Sequence, residues 1–403
     1  MNLRSDARAL QDDLVAFRRD LHREPEVGLH LPRTQERVLG AVGGLPLEIG
    51  VGETVSSVTG VLRGGRRDAN RPKTVLLRAD MDALPIGEQT DEDFASRNGA
   101  MHACGHDLHT AALVGAAHLL AAHRDGIAGD VVFMFQPGEE GWDGAQAMIA
   151  EGVLDAAGRR VDFAYGMHVL SNTMPAGVFC SKPGPMLSAS HTLSVTVRGA
   201  GGHGSAPHSA KDPVVAAAEM ITSLQTMVTR GFDAFDPVVV TVGVVQAGAR
   251  ANIIPDIATF EATVRRYSAE NAERLATLIP RVLQGVAAAH GVEVDVDFHV
   301  EYPLTVNNAG EVAFAQRVVQ EMIDEDRYAP MDRPLSGSED FSRVLDIVPG
   351  AFVGLGACMP DLDPVSAPMN HSPRARFSDD VLADAAAVYA ALAVERLDVE
   401  ASS

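Results

Sequence analysis

Lysine is almost absent from this chain, with only Lys73, Lys182 and Lys211 among 403 residues. Nearly all the positive charge is arginine, and it is outnumbered: 54 acidic against 33 basic side chains give a formal net charge of −21. Such an excess of negative charge excludes nucleic acid or an anionic membrane as partner, because both demand a basic footprint. An anionic substrate must therefore meet a local basic group. Cysteine is scarce as well. Cys104, Cys180 and Cys358 are too few and too scattered for a disulfide framework, which fits a reducing compartment and leaves each thiol free for other chemistry. No run approaches the ~18 apolar residues of a membrane span. The opening MNLRSDARALQDDL carries charges where a signal peptide needs an apolar stretch, so a cytoplasmic protein is expected. Internal repeats and low-complexity tracts are missing too.

What is present is a large apolar fraction, 46% of the chain, over a length beyond that at which single cores divide, so two domains are expected. Leu10, Leu14, Phe17 and Leu21 stand at helical spacing, and that helix should stop before Pro25. Short apolar runs at 58–64, 74–80, 130–136 and 162–168 read as strands, and the stretches 107–122 and 142–151 between them read as helices. This alternation predicts an α/β sheet covered by helices. From 188 the pattern changes to β-α-β-β-α-β: strands at 191–199, 238–246, 257–265 and 292–298, helices at 212–228 and 269–290. That order is ferredoxin-like and predicts a compact inserted domain. Beyond Tyr302 the sequence reads as a helix (310–324), a GSED turn (337–340) leading into another, a strand (351–356) and a terminal helix (378–395). The tail VEASS is expected to fray. The expected architecture is thus a discontinuous larger domain of 1–187 and 303–403 with a mixed sheet, and an α+β insert of 188–302 serving as lid or dimerisation domain.

The run MHACGHDLH (101–109) concentrates three histidines and a cysteine in nine residues. Cys104 and His106 are a thiolate and an imidazole two apart in a glycine-flanked turn, which lets both side chains face one way. Some thirty residues on come the adjacent carboxylates Glu139 and Glu140, whose side chains point apart on an extended backbone, so that one can hold a metal while the other faces a water. Sheets of this type bind ligands at the carboxyl ends of their strands. Asp80 and Asp82 stand at the end of one expected strand, Glu139 and Glu140 follow another, and His168 ends a third, while His371 lies in the late loop MNHSP.

Together, LLRADMDALP (76–85), MHACGHDLHTA (101–111), FQPGEEG (135–141), GMHV (166–169), GGHGSAPH (201–208), ARANIIPD (249–256), GSEDF (337–341) and NHSP (370–373) resemble the metal-dependent amidohydrolases that include aminoacylases, hippurate hydrolases and indole-acetyl-amino-acid hydrolases. The resemblance runs in order from LHREPE (21–26) to His371. It implies that Cys104, His106, Glu140, His168 and His371 ligate two divalent ions (zinc, cobalt, manganese or nickel), with Glu139 as general base and Asp82 orienting a ligand from behind. Related exopeptidases carry a histidine ligand where this chain has Asp80, which is not counted as a ligand; His102 and His109 are left to structural roles. His203 would stabilise the oxyanion, and Arg250, a planar fork suited to a carboxylate, would anchor the substrate with Asn252. The implied reaction is hydrolysis of N-acyl amino acids by a homodimer or homotetramer. A dipeptidase or aminopeptidase with the same machinery, and a non-catalytic metal-binding protein, are the competing readings.

Overall fold

The protein is described here from a computed structural model covering residues 1–68 and 72–398; the VEASS tail lies outside the described residues. In chain order the elements are helices α1 (Leu3–Ala9), α2 (Gln11–Arg23) and α3 (Pro32–Val42), strands β1 (Leu47–Val51), β2 (Val58–Arg63) and β3 (Thr74–Asp80), α4 (His106–Ala122), β4 (Asp130–Gln136), α5 (Gly144–Ala150), β5 (Phe163–Leu170) and β6 (Phe179–Cys180). There follow β7 (Ala189–Arg198), α6 (Pro213–Gly231), β8 (Val238–Ala247), β9 (Ile257–Arg266), α7 (Glu270–His290) and β10 (Glu293–Tyr302). The chain closes with α8 (Ala309–Met322), β11 (Gly350–Gly356) and α9 (Leu382–Asp398). No helix among the described residues is long and apolar enough to cross a membrane.

The chain divides into two compact units, one of 1–186, 306–333 and 340–403, the other of 187–305 and 334–339. The first holds a seven-stranded sheet in the order β1-β2-β4-β3-β5-β11-β6. β3 pairs parallel with β4 and β5, β5 parallel with β11, and the outer pairs are antiparallel. Every residue of β3, β4 and β11 is buried because both of their faces are covered, which is why these strands are mainly apolar, Arg78 and Asp80 of β3 and Asp130 and Gln136 of β4 being the exceptions. The parallel centre aligns the carboxyl ends of β3, β4 and β5 at one edge, and these three ends carry the site.

In the second unit the sheet order is β8-β9-β7-β10, all antiparallel, the ferredoxin-like arrangement that the β-α-β-β-α-β sequence predicts. Leu193, Val195 and Val197 of β7 are buried at alternate positions with Met220 and Leu224 of α6 and Leu275, Ile279 and Leu283 of α7. The segment 334–339 joins this unit because Ser188 donates from its backbone to the Gly337 carbonyl (2.9 Å) and Arg265 Nη1 donates to Ser338 Oγ (2.8 Å).

Three local features differ from the sequence expectation. β5 continues two residues past His168, since Val169 and Leu170 prolong the pairing with β11. α5 begins at Gly144, because Asp143 takes a left-handed φ of 54° and cannot continue a helix backwards. After the GSED turn only the single helical turn Ser342–Leu345 forms.

Candidate metal centre

The Cys104–Gly105–His106 turn is set by its glycine. Gly105 has φ 85°, and a Cβ there would lie 2.3 Å from Val169 Cγ2, so no side chain fits. Just past it, His106 opens α4 with Nδ1 2.9 Å from the Asp82 backbone carbonyl. A carbonyl only accepts, so Nδ1 carries a proton and Nε2 faces the cluster; that nitrogen is buried without a hydrogen-bond partner. His168 repeats the device, with Nδ1 2.8 Å from the Val169 carbonyl and Nε2 3.3 Å from Cys104 Sγ.

The ligand atoms of Cys104, His106 and His168 lie within 4.8 Å of one another, and so do those of Cys104, Glu140 and His371, and of His106, Glu139 and Glu140. Cys104 is shared by the first two groups. A thiolate, imidazoles and carboxylates, with one orphaned buried imidazole nitrogen among them, are a donor set fitted to divalent transition ions.

Two backbone devices bring the distant members in. Both carboxylate oxygens of Asp82 accept from consecutive amides, Oδ1 from Glu139 N–H (2.9 Å) and Oδ2 from Glu140 N–H (3.0 Å). The two glutamates thus start from one fixed turn. His371 reaches Glu140 at 3.2 Å from a backbone held at φ 70°, left-handed for a non-glycine residue. Its N–H donates to the Ala103 carbonyl (2.9 Å), and Asn370 donates to the carbonyls of Cys104 (3.2 Å) and Val169 (3.0 Å) while its own oxygen accepts from Ser171. Such strain persists only where surrounding bonds over-determine it.

The charges are mutually dependent. Burial pushes the Cys104 thiol up, but His168 and His106 beside it hold it well below its ordinary value. Burial and the neighbouring thiolate push Glu140 up to about 7, against the opposing pull of His371 and His106. His371, hydrogen-bonded to Cys104 and Glu140, is raised to about 10. Protons on the cluster balance anionic ligands, and a bound cation would displace them.

His109 is excluded as a ligand because both its nitrogens are engaged: Nδ1 lies 2.6 Å from Asp80 Oδ1 and Nε2 accepts from the Val169 N–H (2.8 Å). Asp80 in turn binds Arg78 Nη1 at 2.6 Å. His102 lies buried beside His22, ring centroids 6.1 Å apart, outside the ligand groups.

On the second unit, His203, Asn252 and Arg250 form an exposed grouping of their own. Gly202–His203 pairs antiparallel with Ile253–Ile254, Gly204 N–H donates to the Asn252 carbonyl (2.9 Å), and the Arg250 carbonyl accepts from Ile253 (3.2 Å). His203 Nδ1 accepts from the Ser205 N–H at 3.2 Å, leaving the proton of the neutral ring on Nε2. Arg78 and Gln136, which the sequence reading passed over, and Asp340, which it weighed with Glu339 only as a possible receiver of a free amine in the peptidase reading, form a fully buried polar group behind the glutamate loop. The signal for Arg78 was a charge in the interior of the strand TVLLRAD, and for Asp340 its place in GSEDF.

Residues 76–395 match the profile of Peptidase family M20/M25/M40. The hippurate hydrolase of Campylobacter jejuni is 37% identical over 98% of this chain and 100% of its own. The thermostable carboxypeptidase 2 of Saccharolobus solfataricus is 34% identical over 98% of each. A dinuclear metal binding peptidase of the M20 family from Bacillus subtilis superposes with a TM-score of 0.82 at 30% identity, covering 98% of this chain and 100% of that one. Likeness from end to end, in sequence and in fold, to amide-bond hydrolases, one of them a dinuclear metal binding peptidase, agrees with the donor cluster found at the strand ends, and the chain belongs to Peptidase family M20/M25/M40 as a hydrolase of amide bonds.

Proposed function

We propose that the enzyme hydrolyses the amide bond of N-acyl amino acids, releasing a carboxylic acid and a free amino acid. The observation that carries this reading is Glu139: a buried second carboxylate beside the ligand Glu140, its backbone fixed by Asp82, for which a passive metal site has no use. Two divalent ions, held by Cys104, His106, Glu140, His168 and His371, would supply Lewis acidity and lower the pKa of a water from about 15.7 towards ~7. Zinc, cobalt, manganese and nickel all suit this donor set.

In this reading Glu139 takes the proton from the attacking water as its oxygen bonds to the acyl carbon. It returns that proton to the nitrogen as the C–N bond breaks. His203 donates from Nε2 to the oxyanion, as its tautomer permits. Arg250 pairs with the free carboxylate of the substrate and Asn252 adds a hydrogen bond, supplying the local basic group that a chain of net charge −21 needs. The hippurate hydrolase among the relatives supports an N-acyl amino acid. In the same proposal the enzyme is a cytoplasmic homodimer or homotetramer, the edge strand β8 with its exposed Val239, Val244 and Val245 being consistent with assembly through the second unit.

The carboxypeptidase relative favours a second reading, removal of the last residue of a peptide, which would use the same carboxylate anchor. A hydrolysis panel separates the two. N-acetyl and N-benzoyl amino acids should be cleaved far faster than free peptides ending in the same residue; the opposite ranking would establish the peptidase instead.

A further inference from the structure

The loop that carries Glu139 and Glu140 leaves β4 at Gln136 and runs into the first turn of α5, Gly144–Ala145, and both ends are tied to one buried side chain. Asp340 is fully buried. Its Oδ1 accepts from Gln136 Nε2 at 2.8 Å and its Oδ2 from the same nitrogen at 2.7 Å. Oδ2 also accepts from the Ala145 N–H at 2.9 Å, and Arg78 Nη2 donates to Oδ1 at 2.9 Å. Three residues further on, Arg343 closes a bidentate pair on Asp143, Nε to Oδ1 at 3.2 Å and Nη2 to Oδ2 at 2.8 Å. The turn 340–343 therefore grips the loop at Gln136, Asp143 and Ala145, while Asp82 holds its middle.

The grip extends to the other side of the cluster. Arg78 donates from Nε to Gln136 Oε1 (2.9 Å) and from Nη1 to Asp80 (2.6 Å); Asp80 binds His109, and His109 accepts from the N–H of Val169, the neighbour of His168. A buried ionic network of this kind is a poor source of net stability, since an apolar filling of similar shape often does as well. What it does supply is a defined arrangement of the elements it joins.

We infer that Asp340 is a positioning residue for Glu139: it fixes both ends of the loop so that the Glu139 carboxylate keeps its orientation, with Arg343 and Asp143 as an outer clasp. This rests on the reading of Glu139 as the base.

The test uses the full chain loaded with zinc, N-benzoylglycine as substrate, and the variants Asp340→Asn and Asp143→Asn. The second removes a half-exposed charge with a residue that tolerates left-handed φ, so it remains informative if the first fails to fold. Amide exchange across 137–146 should accelerate about tenfold in both variants while β5 and α9 stay protected. kcat should fall roughly 10- to 100-fold in Asp340→Asn, and less in Asp143→Asn, with KM within about threefold, zinc content unchanged and the acid limb of the kcat profile displaced. Unchanged exchange across 137–146 overturns the inference, as does a kcat loss that merely tracks lost zinc or lost folded protein with an unmoved profile. Glu139→Gln is run in parallel: full activity there sinks the base assignment, while the exchange data still report whether Asp340 holds the loop.

Discussion

His106 is oriented within the candidate ligand cluster by a bond made behind it, Nδ1 to the backbone carbonyl of Asp82 at 2.9 Å. Asp82 serves both sides of the site: its main chain sets the histidine tautomer and its carboxylate holds the turn of the two glutamates. Asp82→Ala keeps the first bond and removes the second pair. Two charge-assisted hydrogen bonds in a buried setting are worth about 1.5–3 kcal/mol each, so thermal or urea unfolding should report a loss of about 3–6 kcal/mol. A stability equal to the wild type would show that the turn holds itself.

Glu139→Gln keeps the size and the backbone contacts of the side chain and removes its basicity. kcat should fall by roughly 10²- to 10⁴-fold. Metal content, measured by elemental analysis after gel filtration, should stay at the wild-type value. Substantial turnover by a fully loaded variant would take Glu139 out of the proton path.

Arg250 is exposed and has room to meet a ligand carboxylate. Arg250→Ala should raise KM for N-acyl amino acids by roughly 10- to 100-fold, the worth of one bidentate charge-assisted contact, and barely affect the matching C-terminal amides. An equal loss on both substrates would mean that the arginine acts on something other than the carboxylate.

The second unit should be acid-sensitive at one identifiable place. His191 accepts from Arg266 Nε at 3.0 Å and stacks on Phe298 at 5.0 Å, and burial together with the Arg266 charge lowers it to about 4. It is neutral in the folded chain and takes up a proton on unfolding below pH 6.5. Its contribution is therefore complete above 6.5 and is lost as pH falls from 6.5 towards 4, on the order of 1 kcal/mol by pH 5. Unfolding of His191→Gln should show a shallower decline over that interval than the wild type; parallel curves would assign the acid response elsewhere.

The parts of this molecule legible in the sequence are those where a local pattern and a physical need coincide. Alternation in 191–199 and the order of strands and helices suffice for the ferredoxin-like sheet, because one face is covered and register follows burial. The glycine-flanked Cys104 and His106, and the carboxylates after β4, were readable because strand ends and tight turns are written locally. β1 was not, since its residues are mostly exposed and carry no apolar signature. Nor was the pairing of Arg78 with Asp340: they stand 262 positions apart, and spacing along a chain says nothing about which buried charges will meet.

Strand β11, residues 350–356, lies between β5 and β6 in the sheet although both precede it by more than a hundred residues. As the chain emerges during synthesis, the second unit, contiguous from 187 to 305 apart from one late loop, has most of its own contacts before the first unit can close its sheet. β5 and β6 wait for a partner, and His371 arrives later still. Closure of the first unit's sheet is thus deferred until residue 356 has been made, and a product truncated before residue 350 would carry Cys104, His106 and both glutamates on a sheet with a gap in it.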